Sequence, residues 1–524
     1  MRRAFPRTRQ ELLDASQNLS CYGSDVEQLP ASLRDRLRDT GIAGTSIYYR
    51  FSYDVANWLA RKAPKSVSID WSELQDTAAF DDLLRHILQP SEDEYFDSGY
   101  ASTELWLQKA SASYDGTDFD WLMAQLQERP LRPFFRQLYD AADIPLVWQL
   151  HTDGFSKSDN VFRHSKVVMR TDGYRARPTR VKKEIATPVG NISRLSRSRG
   201  EEMIDVAIAS LAVRHRETLH FDFANPHEVY VADVGKGIVV TVFGLLPEYR
   251  FPLECTMGYL ILSNGVPIGY GGSSILFKQA NTGVNLFDEY RGTEAAFLWV
   301  QVMRVYHSLF HCTRFIANPY QFGAENTEAL KSGAFWFYYK LGYRPVDPAI
   351  RQLAIAEEAK RRRKPDYRSD IRVLKRLASC DMHLTLPGAR QSEFFDEEWL
   401  TTSSQLATER LAKCGATTRR QSARQVVREL AQEVGLRNFR SWTPDQQRGL
   451  NTIAPFVASL DVSKWTASEK REMQKLLRAK GDQRELGYAR LLAGNARFLQ
   501  ALRFKCKKAA ATSVARGGAG NSPR

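Results

Sequence analysis

The sequence predicts an α+β protein. A mixed, mostly antiparallel sheet with packed helices occupies the middle of the chain, flanked by a mainly helical N-terminal region and a helical C-terminal region. Three observations carry this reading. Apolar residues recur at helical spacing through most of the first 185 residues and again after Ser392. Between them the period falls to two, in EVYVADVGKGIVVTVFGLL and MGYLILSNGVPIGYGGSSILF, each folded about a glycine-bearing turn. Beyond the second run, the chain alternates strand, helix, strand, helix.

In chain order, LPASLRDRLRDTGI, SYDVANWLARKAP, FDDLLRHILQ, TELWLQKASASY and DFDWLMAQLQERPLRPFFRQLYDAA read as helices, with PLVWQLHTD and SKVVMRT as short strands. The polar segment TPVGNISRLSRSRGEE leads into a helix ending near HRETLHF. In the first hairpin GKG makes the turn; in the second, Asn264-Gly265 is the type I′ signal, because both positions need positive φ. GVNLF then reads as a strand, followed by a helix from near Thr293, a strand in TRFIANPYQ, a helix from about Asn326 to Leu341 and a last strand near DMHLTL. After Ser392 every segment is helical. SWTPDQQ and TASEKRE each place a Thr ahead of a residue able to close a capping box. The expected divisions are 1–185, 186–390, 391–503 and a disordered Gly/Ala/Ser/basic tail, 504–524.

A chain of 524 residues is too long for one typical core. Hydrophobic residues at 43% and charged residues at 26% are ordinary for a globular protein, and no apolar run is long enough to span a bilayer. The basic N-terminus lacks the apolar stretch of a signal peptide, so a cytoplasmic location is expected. Six cysteines stand singly, with no CxxC pair, which argues against a zinc site or a disulfide framework; no metal is expected. His307 and His311 share a helix face without a carboxylate between them in a metalloprotease pattern.

Net charge is +14. It is concentrated in Val161–Lys183, in Ala359–Arg376 and in a tail with six basic residues and no acids from Arg503 on. Such stretches are either solvated linkers or a surface for a polyanion, such as nucleic acid or an acidic carrier protein. There is no RNP sequence, Walker loop or kinase signature.

The segment most suggestive of chemistry is DEYRGTEAA, Asp288–Ala296, between GVNLF and the helix. A small-residue turn feeding a helix N-terminus leaves free N–H groups and positive potential at one spot, which suits phosphate. Arg291 supplies charge, Gly292 lets the backbone approach a ligand, and Ala295 and Ala296 keep the first helical turn thin. With AFWFYYKLGY it resembles the GNAT superfamily of N-acyltransferases. Arg291, Gly292 and Ala296 match the first motif. Asp288 stands where the family often has Pro, and Glu294 where it has Gly. Ala334, Phe337, Tyr338, Lys340, Leu341, Gly342 and Tyr343 match the second, whose usual Asn falls on Lys331. The resemblance covers roughly residues 198–390.

The resemblance implies acetyl-CoA or another acyl-CoA as donor, or an acyl group on an acidic carrier protein, and an amine as acceptor. Leu286, Phe287, Arg291, Gly292, Thr293, Glu294, Ala295, Ala296 and Asn318 would hold the donor. A backbone N–H near Leu286–Asp288 would polarise the carbonyl, and Tyr338 would protonate the leaving thiolate. Glu289, Asp288 and Glu254 are candidates for the base. Glu294 is the difficulty. At a helix start a carboxylate is well placed, but aimed into the cradle it would repel a pyrophosphate. Either it points away, or the ligand is altered or lost. The second reading is therefore a non-catalytic GNAT-like module whose basic surfaces bind nucleic acid or an acidic protein. An open cleft beside the turn favours the enzyme; a cleft filled by side chains favours the module.

Overall fold

A computed structural model describes residues 1–98, 102–128, 132–151, 154–163 and 167–517. The elements begin with α1 (Arg9–Glu27), α2 (Ala31–Asp35), β1 (Ser46–Tyr49), α3 (Tyr53–Lys62), β2 (Val67–Ile69), α4 (Ala78–Arg85), α5 (Asp93–Asp97), α6 (Thr103–Ala110), α7 (Asp118–Glu128), α8 (Arg132–Ala142) and β3 (Leu146–Gln149). Next come α9 (Val181–Ala186), β4 (Asn191–Arg194), α10 (Arg197–Ala212), α11 (Leu219–Asp222), β5 (Ala224–Gly235), β6 (Ile238–Leu245), β7 (Cys255–Ser263), β8 (Val266–Leu276), β9 (Gln279–Thr282) and β10 (Asn285–Leu286). Then follow α12 (Ala295–Phe310), β11 (Arg314–Ala317), α13 (Thr327–Ser332), α14 (Ala334–Leu341), β12 (Arg344–Pro345), α15 (Pro348–Arg363), α16 (Ile371–Leu377) and β13 (Met382–Thr385). The chain ends in α17 (Glu398–Ala412), α18 (Arg419–Val434), α19 (Pro444–Val457), α20 (Ala467–Ala479), α21 (Leu486–Gly494) and α22 (Ala496–Gly517).

The chain divides into two compact units: Met1–Thr171 with Glu201–Asp222 and Ser263–Pro267, and Asp172–Gly200 with Phe223–Leu262 and Ile268 onward. The sheet and the C-terminal helices thus share one unit, where the sequence suggested a division at 390. The first unit is mainly helical around a small antiparallel sheet, β1-β3-β2. Its core is aromatic. Trp148 lies edge-on to Phe51 and Trp58, and the Trp58 indole donates to Asp205 at 2.9 Å. The β1 and β2 strands (SIYY, VSI) escaped the sequence reading because they are too short to show a period. SKVVMRT is not a strand over 167–171, and its residues 165–166 lie outside the described ones.

The second unit carries a mixed, mostly antiparallel ten-stranded sheet ordered β12-β13-β11-β9-β8-β7-β6-β5-β4, with β10 paired to β8. The expected turns form: Gly235, Lys236 and Gly237 all have positive φ, as do Asn264 and Gly265, which belong to the first unit. So are the capping boxes, Thr443 with Gln446 and Thr466 with Glu469.

Four expectations need correction. The strand placed at GVNLF begins earlier, at Gln279, and Asn285–Leu286 is only its end. The pairs Ser273↔Thr282 and Tyr270↔Asn285 keep one register across the interruption. KQANT has no apolar alternation, so the period-two signal passes over it. The helix expected from Asn326 to Leu341 is broken by Gly333, whose left-handed φ of 67° ends α13 and starts α14. The polar link holds an edge strand, β4, paired with β5. Finally, the tail expected to be disordered from 504 is helical to Gly517, while 518–524 lie outside the described residues. Phe498, Leu502 and Cys506 are buried and anchor α22, and the alanines after Lys508 propagate a helix well.

Candidate functional site

Strands β9 and β11 are a parallel pair in the sheet, joined through Arg314↔Gln279, Phe315↔Ala280 and Ile316↔Asn281. Beyond Asn281 this pairing is lost and β10 pairs with β8. The two strands therefore diverge where the chain runs toward α12, a buried helix whose apolar residues leave almost no polar face. The site expected from the sequence lies here.

The protein's own side chains reach into the gap. Gln321 packs onto the interruption so closely that a Cβ on Gly283 would meet its Oε1 at 1.9 Å. Tyr259 donates its hydroxyl hydrogen to the Gly283 carbonyl, and a Cβ on Gly271 would meet that hydroxyl at 2.4 Å. Glycines thus stand where large side chains approach the strands, which is one established use of glycine in a sheet. Tyr338, on α14, is 2% exposed and packs edge-on against Trp299 of α12 and Tyr343. Its hydroxyl receives the Val284 N–H, and burial pushes it well above the usual tyrosine range. The hydroxyl stands 3.5 Å from Gln321 Oε1.

The turn itself is occupied by charge. Residues 288–290 form a short 3₁₀ turn with Asp288 and Glu289 exposed, and Phe287 stacks on Tyr270. Arg291 pairs with Asp288 at 3.0 Å and with Glu328. Gly292 has φ +81° and open space around it, and the Thr293 hydroxyl donates to the Tyr290 carbonyl at 2.7 Å. Glu294, 1% exposed, points away from Arg291: its Oε2 accepts the Arg175 N–H at 2.8 Å. Arg175 then lays its guanidinium over Phe297, and Arg177 donates to the Lys340 carbonyl at 2.5 Å. Part of the basic stretch thus folds back over the first turn of α12. Ala295 and Ala296 are half-buried there.

Of the remaining candidates, Leu286 ends β10, half-buried. Asn318 caps the 3₁₀ turn 319–322, accepting the Gln321 N–H at 3.3 Å. Glu254 does not join this group. It accepts a hydrogen bond from Ser274, whereas the neighbouring Ser273 bonds Tyr306 of α12, on the other face of the sheet. Cys255 and Cys312 are fully buried with thiols pushed up by burial, which leaves no nucleophile there. His307 bonds the Cys312 carbonyl and His311 caps α12 in the left-handed conformation, so the histidine pair ends a helix. Tyr259, Val284 and Arg175 were not singled out in the sequence. The cluster of Gly271, Gly272 and Gly283 was the one available signal for the first of them. In comparisons with family models, characterised proteins and solved structures, nothing matches this chain.

Proposed function

We propose that the second unit is a non-catalytic GNAT-like binding module whose partner is nucleic acid, held on the basic face of α15 and α16. One observation carries the reading: the turn that would cradle a pyrophosphate is closed by the chain's own groups. Arg291 is committed to two carboxylates, Asp288 and Glu328, Glu289 lies exposed in the same turn, and the gap between β9 and β11 holds Gln321 and Tyr338. A dianionic ligand would meet repulsion there. Positive charge gathers elsewhere: Arg362, Arg363, Lys364, Arg368, Arg372, Lys375 and Arg376 are all exposed on α15, α16 and their link. Such a surface suits a phosphate backbone. All six cysteines are free, which supports a cytoplasmic setting, and among the described residues no helix is long and apolar enough to cross a membrane.

The test pairs two titrations of the full chain. Acetyl-CoA, a long-chain acyl-CoA and free CoA should give no saturable heat. A labelled oligonucleotide should bind with strong salt dependence, and Arg363→Glu with Arg372→Glu should weaken it at least tenfold. CoA binding that Arg291→Glu abolishes would sink the proposal; binding of an acidic protein in place of the oligonucleotide would replace the partner.

A second reading, acyl transfer from a thioester to an amine, is favoured by Tyr338. Its hydroxyl stands beside the Val284 N–H where β9 and β11 diverge, and burial keeps it protonated, as an acid for a leaving thiolate must be.

A further inference from the structure

At the opposite end of β11 from the closed turn, the sheet presents a cationic cleft. Arg314 pairs across the ladder with Thr385, and Arg344 with His383. Paired residues, and residues two apart on a strand, share a face, so these four side chains stand together. Arg351 and Ile355 of α15, Lys182 of α9 and the Gln391–Asp396 segment complete a cleft of about 610 Å³. Its size is that of a small-molecule site.

Positive charge in the cleft outnumbers negative. Arg314, Arg344, Arg351 and Lys182 line it, against one carboxylate, Asp396. None of the four forms an ion pair with a described carboxylate, although Asp396 lends Arg314 some attraction. Arg314 is the unusual member. It is 6% exposed, its Nε is buried with no hydrogen-bond partner, and burial pushes its pKa down to about 10. Two contacts fix the guanidinium: Nη2 donates to Gln391 Oε1 at 2.5 Å, and its face lies over Phe394 at 3.6 Å. Arg344 and Arg351 are likewise positioned, by the carbonyls of Tyr339, Tyr343 and Pro345. A buried guanidinium with no carboxylate in ion-pair contact is costly, and a preset group of arginines is what a phosphate requires. His383 reports the same field: burial, then Arg314 and Arg351, lower its pKa to about 4.

We propose that this cleft binds a phosphate-bearing small molecule, with Arg314 at its floor and Arg344, Arg351 and Lys182 around the phosphate. The volume exceeds a bare phosphate, and Val346 and Ile355, 41% and 48% exposed, offer an apolar wall to an organic group. The inference does not depend on whether the α12 turn accepts CoA.

The test is calorimetry of the full chain at fixed ionic strength with three probes: inorganic phosphate, phenyl phosphate and benzoate. Phenyl phosphate should bind at least tenfold more tightly than benzoate, and more tightly than phosphate alone. Arg351→Gln and Lys182→Gln, both at the exposed rim, should each weaken it severalfold with an unchanged circular dichroism spectrum. A second readout follows His383 by NMR: bound phosphate should raise its pKa measurably, because an anion favours the imidazolium. Equal binding of benzoate and phenyl phosphate, absence of heat with all three, or indifference to both rim variants would overturn the proposal. Arg314→Met should abolish binding; if it fails to fold, the rim variants still decide.

Discussion

Replacing Glu228 by alanine should destabilise the second unit more than any change at its surface. Glu228 lies in the irregular part of β5, where the pairing with β6 shifts register between Ala224 and Val229. It is fully buried against Gly244, where a Cβ would meet its Oε2 at 2.3 Å. Its carboxylate accepts the N–H groups of Glu485 and Leu486, both at 2.7 Å, at the N-terminus of α21. Arg250 stands 3.5 Å away and donates in turn to the carbonyls of Leu245, Lys480, Asp482 and Gln483. Lys480 pairs with Glu485 at 2.6 Å, also fully buried. Removing Glu228 leaves a buried guanidinium facing one fewer carboxylate. Breaking a buried pair in this way costs about 3–5 kcal/mol. Two amide donors lose their acceptor at about 1–3 kcal/mol each, a cost that overlaps the first. The expected loss is therefore about 4 kcal/mol, read as a lower urea midpoint at unchanged slope. Glu228→Gln should lose roughly half as much, since its amide oxygen still accepts. A loss below about 1 kcal/mol for the alanine variant would refute the argument that these groups hold the hairpin and the C-terminal helices as one folding unit.

Two further outcomes follow from single side chains. Burial, with the Asp381 charge next, pushes Glu397 up to about 7 against the pull of its 3.0 Å hydrogen bond from Asn281. A raised carboxyl pKa gives stability that is complete below the unfolded value and is lost as pH rises through the folded one. Glu397→Gln should therefore melt like the parent near pH 4.5 and a few degrees higher at pH 8.5; a difference independent of pH would contradict this. Gly283→Ala should cost about 1–3 kcal/mol by displacing the Gln321 amide, and Gln321→Ala in the same chain should recover most of it. Urea unfolding of the double-mutant cycle measures the coupling, and simple additivity would show that Gln321 does not fill the gap.

The fold class was legible because period is a local property. The GKG and Asn264-Gly265 hairpins and the Thr443 and Thr466 caps need only neighbouring residues, and each stands where the pattern put it. What was not legible is what closes the candidate site. Glu294 turns from the cradle because Arg175, 119 residues earlier, offers its N–H. Arg291 is paired with Glu328 from another helix. Arg314 gave no signal, since a basic residue opening a strand looks like a solvent-facing end until the 391–396 segment folds over it.

The two anion-binding candidates in the second unit carry opposite fields. The α12 turn offers a helix N-terminus, equivalent to roughly half a positive charge, and one arginine. Against these stand Asp288 and Glu328, both in contact with that arginine, and Glu294 buried at the helix start. The cleft at β11 and β13 offers four full charges against Asp396, with one of the four withdrawn from water. At comparable distances Coulomb energy scales with net charge and inversely with the local dielectric. Both factors favour the cleft. A free phosphate group should therefore settle on Arg314 and its neighbours before it reaches the turn. The turn that suggested a cradle joins strand to helix, while the net positive charge stands at the other end of β11.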